Sequence, residues 1–304
     1  PLEFAMRTAI LLLASLASAS GFSGARPSAT VIKRFSARSN RIGASLPLGR
    51  REFATTGLAA GILPSVLASN EVWAAGEQTV LVAGATGKTG RLVCRELCAL
   101  GGTKVLAGVR SEKKAKEIGL ECATAVHLDV SETADKMAAS LQGVDTVVCA
   151  LGFVPGNPLK MNQAAHAVDN EGTCRLVDAC GVAGVKKFVL ITSILTDGRA
   201  WGQEKSPGFQ ITNAFGGVLD EKLFAEKYLR ASKLEYTIVR PAGLRDEIDG
   251  ELAFSGENTL NSGEVSRLNV ARVCAAAALT PASANKVVEI VESSTGTPKD
   301  KWFA

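Results

Sequence analysis

From Thr79 onward the chain alternates short unbroken apolar runs with longer segments in which apolar residues return every three or four positions. The runs are TVLVAGA (79–85), KVLAGVR (104–110), TAVHLDV (124–130), VDTVVCALG (144–152), KKFVLITSI (186–194), EYTIVRP (235–241) and NKVVEIV (285–291). A strand with one wet face alternates apolar and polar residues; a strand covered on both faces reads as a continuous apolar run. The segments between them predict helices over Lys88–Leu100, near Glu112–Ile118, over 131–142 with Ser131 as its cap, over about Gln163–Ala183, within 214–232 and near Val270–Leu279. Repeated β–α units with short connections predict an α/β fold with a doubly wound parallel sheet. The rhythm breaks at 195–213, which holds Gly198, Trp201, Pro207 and Gly208 and reads as a long loop of a length that is usually functional. The part beyond it predicts a small C-terminal lobe over the sheet.

The first run ends in VAGATGKTG (82–90), with three glycines in seven residues, and leads straight into the Lys88–Leu100 pattern. A pyrophosphate is held by backbone N–H groups at a helix N-terminus, provided no side chain stands in the way. In such a cradle Gly84 turns the chain sharply out of the strand, Gly87 lets the main chain approach the phosphates, and Gly90 lets the helix pack on the strand. Thr86, Lys88 and Thr89 complete the stretch. A purely structural turn would use the same glycines, but the strand before, the amphipathic helix after and the repeated β–α rhythm favour a dinucleotide. The end of the second run selects which one. An acid there would accept from a free ribose 2′-hydroxyl; this chain has Arg110 and Ser111, with Lys113 and Lys114 close by. A guanidinium at that place suits a 2′-phosphate, so NADP is expected rather than NAD, the alternative being a solvated surface arginine. Asp129, at the end of the third run, is placed either to meet the adenine or to serve as a helix N-terminal acid.

Composition is consistent with that reading. Apolar residues make up 46%, aromatics only 5%, and there are 30 glycines, which suits helices packed closely on a sheet. The formal charge of +4 is unevenly spread. Residues 1–75 carry eight Lys/Arg against three Asp/Glu, leaving 26 basic and 27 acidic residues beyond them. The body therefore offers no nucleic-acid face. Residues 1–75 are expected to be a targeting leader, disordered or loosely helical, ahead of one nucleotide-binding domain over 76–304. From Met6 a single Arg, a short apolar run and small residues have a signal-peptide layout, followed by an acid-free stretch rich in Ser, Arg and Ala. That order, with Phe22 after the small residues, resembles the bipartite plastid address of algae with secondary plastids. Arg50–Arg51 before a further apolar run resembles a twin-arginine thylakoid signal; a retained helix or plain stromal transit peptide is the other reading. The expected place is the stroma or the thylakoid surface, with the lumen as alternative.

Seven scattered cysteines without a CxxC pair, most at apolar positions, read as small buried hydrophobes. With two histidines, His127 and His166, and no ligand spacing, no metal site is expected.

The stretches VLVAGATGKTG, AGVRS, HLDV, VDNEGTCRLVDACGVAGVKKFVLITSI, AEKYLRASKLEYTIVRPAGL and SRLNVARVCAAAL together resemble the atypical short-chain dehydrogenase/reductase proteins, and within them the NmrA-like, Tic62-like NAD(P)-binding group. The resemblance covers about residues 78–293 and implies a Rossmann fold, NADP(H) binding and, in many members, reductase activity. Members with full carbonyl-reductase chemistry use a Ser, and a Tyr four residues before a Lys. Ser193 matches the Ser and Lys222 the Lys, but Val218 occupies the Tyr position and cannot donate a proton. Tyr228 and Tyr236 lie elsewhere in the pattern. Lys222 could instead pair with Glu226, one helical turn on. Ala150, Leu151 and Gly152 stand where the backbone skirts the cofactor ribose, and Pro241, Ala242 and Gly243 where it passes the nicotinamide amide. Asn170 faces the site or a buried carbonyl, and Asn269 replaces a common Asp. The resemblance, with Val218 in the Tyr position, implies an NADPH-dependent plastid oxidoreductase. It would pass hydride to a conjugated small-molecule acceptor such as a quinone or flavin, which delocalises charge and takes its proton from water. The alternative is a non-catalytic NADP(H)-binding redox sensor or thylakoid assembly factor, in either case with some association with the thylakoid membrane.

Overall fold

Continuous apolar runs become strands because both of their faces find helices to cover them. The computed structural model describes residues 78–304 apart from Pro155 and Asp249, so the expected leader lies outside the described residues. The strands are β1 (Gln78–Ala83), β2 (Thr103–Val109), β3 (Thr124–His127), β4 (Thr146–Cys149), β5 (Lys187–Ile191), β6 (Glu235–Pro241), β7 (Gly243–Arg245), β8 (Glu251–Ser255), β9 (Glu264–Ser266) and β10 (Lys286–Ser293). The helices are α1 (Lys88–Leu100), α2 (Glu112–Glu117), α3 (Ala134–Ser140), α4 (Met161–Ala165), α5 (Thr173–Ala183), α6 (Pro207–Asn213), α7 (Val218–Ala231) and α8 (Arg267–Leu279).

Eight strands form one sheet in the order β3-β2-β1-β4-β5-β6-β10-β8, all parallel except the antiparallel edge strand β8. Val80 sits between Val105 of β2 and Thr146 of β4, which sets the central register. Alternate strand residues feed two cores. Val80, Val82, Val148, Val189 and Val239 pack with α1 and α8 on one face. Leu81, Ala83, Val147, Phe188 and Ile238 pack with α3 and α5 on the other. Burying each Val, Leu, Ile or Phe among them is worth about 1.5–3 kcal/mol, which holds the sheet between its two helical layers. From β1 the chain winds outward to β2 and β3, then returns to β4 on β1's other side. That reversal is the topological switch point of a doubly wound Rossmann sheet, and it opens a crevice at the carboxyl ends of β1 and β4.

Three local expectations are corrected. Ser131 does not cap α3. Its N–H and hydroxyl both donate to Asp129 Oδ1, 3.0 and 2.8 Å, closing an Asx turn, and Thr133 caps the helix instead. Residues 195–213 are not one loop. A 3-10 turn spans Gly198–Trp201 and α6 follows, with Ser206 as its cap and Pro207 at its first position. Phe209 anchors this segment by burying itself against Gly198, where a Cβ would lie 2.7 Å from the ring. Third, the long helix after β4 runs from Met161 to Ala183 but is π-helical over His166–Gly172. The small C-terminal lobe amounts to the β7–β9 pair, because β8 and β10 join the main sheet. Trp302 and Phe303 close the sheet's end against Phe254, with ring centroids 5.2 and 6.0 Å from it.

Burial also makes stability depend on pH. Lys187 opens β5 with its side chain buried, its Nζ donating to the Thr280 carbonyl and the Ser283 hydroxyl at 2.8 and 2.6 Å. Burial pushes its ammonium down from 10.5 to about 8. Thiols go the other way: burial pushes Cys94 and Cys98 from 9.0 up to about 12, and Cys149 and Cys174 to about 11. Above pH 8 the folded chain has released the Lys187 proton while the unfolded chain still holds it, so this residue adds stability as pH rises toward 10.5. The cysteines subtract stability above pH 9, where only the unfolded chain ionises. Comparing wild type with Lys187→Met cancels the cysteines. In urea titrations the wild-type free energy of unfolding should gain on the variant by about 1 kcal/mol per pH unit above pH 8. A difference independent of pH would show that Lys187 stays charged.

Candidate functional site

The residues singled out in the sequence gather along one edge of the sheet, the carboxyl ends of β1, β2, β4, β5 and β6. Leaving β1, Gly84 has φ +77°, a conformation side-chain-bearing residues rarely adopt. A Cβ there would lie 2.9 Å from the Ala150 carbonyl oxygen, so the turns after β1 and β4 touch at the crevice. At Gly90 a Cβ would lie 2.3 Å from the Gly84 oxygen, which makes this glycine the condition for α1 packing against the turn. Gly87 differs. It is the N-cap of α1 in an extended conformation, and a Cβ there would meet only the Gly84 oxygen, at 3.2 Å. No side chain caps α1 and no acid stands in its first turn. Its unpartnered N–H groups and positive dipole end therefore suit an anionic group such as a pyrophosphate. Exposed Lys88 begins the helix, with half-buried Thr86 and Thr89 beside it. Its Nζ lies 3.2 Å from Asp246 Oδ2, whose other oxygen takes Arg267 Nη1 at 2.7 Å. A carboxylate from beyond β7 thus reaches over to the glycine turn.

Arg110 follows β2 and is exposed, with no carboxylate in ion-pair range among the described residues. Its charge still reaches Asp129. Partial burial works against ionisation of that carboxyl, but the Ser131 hydrogen bonds and Arg110 hold it below the usual carboxylate range. Ala150, Leu151 and Gly152 leave β4 at the crevice, and Pro241 ends β6, buried in the sheet.

Lys222 does not pair with Glu226. It crosses to Asp169, with Nζ 2.6 Å from Oδ1. Asp169 is buried and its Oδ2 accepts the Phe153 N–H at 3.0 Å, so one carboxylate ties α7 to the turn after β4. The π-helical segment delivers it; such segments recur at functional sites because the extra residue re-aims the side chains around it. Asn170, next along, donates to Glu221 Oε2 at 2.6 Å rather than to a buried carbonyl. Glu221 also meets His166 Nδ1 at 3.0 Å, and that hydrogen bond raises the imidazole pKa. Val218 opens α7, buried and apolar where a proton donor would stand. Tyr228 donates to Asp178 at 2.7 Å, on the face of α7 toward α5. Asn269 is buried, donating to Glu292 at 2.7 Å and accepting from Arg272 at 3.0 Å.

Ser193, just past β5, borders a cavity of about 440 Å³. Leu195, Gly208, Thr212, Asn261 and Ser262 form other parts of its wall, and among the described residues no ionisable side chain lines it. Leu195 holds φ +65°, an uncommon conformation for a side-chain-bearing residue, and its carbonyl accepts the Gly198 N–H at 2.8 Å. Sequence reasoning missed Asp169, Thr212 and Asn261. Only the family-like stretch around Asp169 carried a signal for any of them.

Comparison with known proteins agrees with this geometry. The NAD(P)H-binding family matches residues 84–281. An uncharacterized chloroplastic protein of Arabidopsis thaliana is 45% identical over 217 residues, covering 70% of this chain and 76% of that one. The chloroplastic protein TIC 62 of Pisum sativum is 37% identical over 250 residues, covering 74% of this chain. The match spans 45% of that relative's length. Among solved structures, the oxidoreductase ylbE of Lactococcus lactis superposes with a TM-score of 0.62 at 25% identity, over 74% of this chain and 95% of that one. The chain belongs to the NAD(P)H-binding family and is a relative of the Tic62-like, atypical short-chain dehydrogenase/reductase proteins.

The two inner glycines should separate folding from binding. Gly87→Leu should leave the thermal midpoint within a few degrees of wild type while weakening NADPH binding by about tenfold or more, read by calorimetry. Gly90→Ala should lower the midpoint sharply, because its methyl has no space against the Gly84 carbonyl. Unchanged affinity in Gly87→Leu would remove the phosphate cradle from this turn.

Proposed function

We propose that this member of the NAD(P)H-binding family is a plastid NADP(H)-dependent oxidoreductase that passes hydride to a conjugated acceptor such as a quinone or flavin. The observation that carries the reading is a juxtaposition. An uncapped helix end with a glycine turn and a cavity bordered by Ser193 open on the same edge of the sheet. Chloroplastic relatives support the plastid; within it, the proposed place is the stroma or the thylakoid surface.

When bound, the dinucleotide supplies a hydride; with one proton from solvent the acceptor is reduced and NADP⁺ remains. The chain's own residues do the rest. The amides of the α1 first turn and Lys88 would hold the pyrophosphate. Arg110 would hold the 2′-phosphate through paired charge-assisted hydrogen bonds, with Lys113 and Lys114 adding positive potential. Ala150, Leu151, Gly152 and Pro241 would shape the path of the ribose and nicotinamide. The Ser193 hydroxyl can donate to an acceptor oxygen in the cavity. Lys222, fixed by Asp169, would offer its remaining protons to a ribose hydroxyl. With Val218 in the position of the tyrosine, α7 offers no phenol to protonate a simple ketone, which favours acceptors that spread the charge.

Val218 also favours a second reading, a non-catalytic NADP(H)-binding sensor or assembly factor. The decisive assay follows NADPH absorbance with the full chain against a panel of quinones and flavins. Turnover with a conjugated acceptor but not with simple ketones is expected, and tight NADPH binding without any turnover would establish the second reading instead. In the same assay Arg110→Ala should cut the preference for NADPH over NADH by about tenfold or more, and an unchanged preference would return Arg110 to the solvated surface.

A further inference from the structure

We infer that the cavity beside Ser193 is built for an uncharged ring that accepts hydrogen bonds, a neutral quinone, and that it rejects anionic acceptors, flavin nucleotides among them. This names the substrate class within the oxidoreductase reading and rests on that reading for its place in the reaction.

The wall chemistry carries the argument. Every polar side chain on it is a hydroxyl or an amide. The hydroxyls of Ser193 and Thr212 can donate into the space. Asn261 Oδ1 already accepts from Ser262 at 3.2 Å, which leaves its amide nitrogen as the donor. The remaining wall is apolar or bare backbone, including Ile194, Leu195 and Gly208. Carbonyl oxygens on a flat ring match such a surface, with hydroxyls at the edges and apolar contact on the faces. An anion does not, because none of the described side chains that line the space carries a positive charge to offset the loss of its water. At about 440 Å³ the space lies within the range of small-molecule sites.

Position supports the same assignment. Ser193 and Gly243 follow the adjacent strands β5 and β6 at their carboxyl ends, where a doubly wound sheet binds its ligands. The opposite wall is Ser206 to Thr212, the segment that folds over this edge instead of continuing the β–α rhythm. That segment is fastened to α7. Asp220 takes Arg199 through both oxygens at 2.9 Å and Asn213 at 2.8 Å, and Asn213 Oδ1 accepts the Leu219 N–H at 3.0 Å. The wall is thus held to the helix that bears Lys222. Gly208 is the narrow point: a Cβ there would lie 3.0 Å from Leu195 Cδ1 and 3.4 Å from the Asn261 oxygen, two other parts of the wall.

The test is equilibrium binding by calorimetry on the full chain saturated with NADP⁺. The probes are hydroxymethylanthraquinone, which is neutral, anthraquinone sulfonate, which has the same rings and one negative charge, and flavin mononucleotide. None of these quinones has an open ring carbon for the exposed Cys122 thiol to attack. The neutral ring should bind about tenfold or more tightly than either anion. Gly208→Leu should abolish that binding and leave NADPH affinity within about twofold, and Thr212→Phe, which fills the space without touching a glycine, should do the same. Equal affinity for the sulfonate would overturn the inference. So would variants that weaken NADPH, since the cavity would then be the nicotinamide's own slot. The two readings fail separately. A neutral ring that binds without oxidising NADPH keeps the cavity assignment and sinks the oxidoreductase, whereas flavin turnover without ring binding does the reverse.

Discussion

A guanidinium cut off from water must find all its partners inside the protein, and at Arg240 that requirement ties the sheet to the site. Arg240 is fully buried on β6, one residue before Pro241. Its Nε and Nη2 meet the two oxygens of Glu226 at 3.0 and 2.6 Å, and Nη1 meets Asn258 at 2.8 Å and Glu289 at 3.4 Å. Glu226 also takes the Thr192 hydroxyl at 2.6 Å, beside Ser193. Glu289 accepts the N–H groups of Asn258, Thr259 and Leu260 at 2.7–3.0 Å, which sets the loop that continues to Asn261 and Ser262. One cation therefore fixes α7, the end of β5 and one wall of the cavity. Replacing Arg240 would leave the buried carboxylates of Glu226 and Glu289 without their shared cation, a loss of about 3–5 kcal/mol. The set is best regarded as a device for specific geometry rather than a net source of stability.

Lys222 depends on that device. Glu226 lies one helical turn after it, so the grip of Arg240 on Glu226 sets the rotation of α7 and turns Lys222 toward Asp169. Asp169 reaches it only because the preceding helix carries a π-helical turn, and Gly172 ends that turn against Val130, where a Cβ would lie 2.8 Å away. Two elements far apart in sequence thus meet at one ion pair. This arrangement gives α7 a job that needs no tyrosine. The lysine is fixed by a carboxylate from the neighbouring helix rather than by partners on its own.

What was legible in the sequence depends on where the forces are local. The α1 and β6 boundaries coincide with the sequence pattern, residue for residue, because burial on both faces writes itself into consecutive positions. The glycine turn was legible for the same reason: its constraints lie within seven residues. The strands β7 and β9 were not, since three-residue strands that pair across some twenty positions leave no period to count. Helix α6 was lost because Ser206–Pro207 serves equally as a turn and as a helix start, and only the burial of Phe209 decides between them. The alternative of Lys222 paired with Glu226 on the helix surface does not form, because the burial of Arg240 claims that carboxylate first, while Asp169, the partner that does hold Lys222, lies 53 positions away and leaves no local spacing to read.

The distribution of fixed charge along the cleft joins these points. Lys88 and Arg110 stand at the β1–β2 end, where α1 also presents its positive dipole. Toward β5 and β6 the charges are either buried and neutralised, as at Arg240, or paired, as at Lys222. Among the described residues, no charged side chain lines the cavity beyond them. A ligand spanning this edge would therefore meet Arg110, the α1 end and Lys88, itself shared with Asp246, at one end, and no charged wall among the described residues at the other. Coulomb attraction selects the anionic half of a long ligand, while shape and hydroxyl donors must select whatever occupies the neutral half. The fold reaches that asymmetry economically, because the residues that neutralise the second half are the ones that hold α7 and the cavity wall in place.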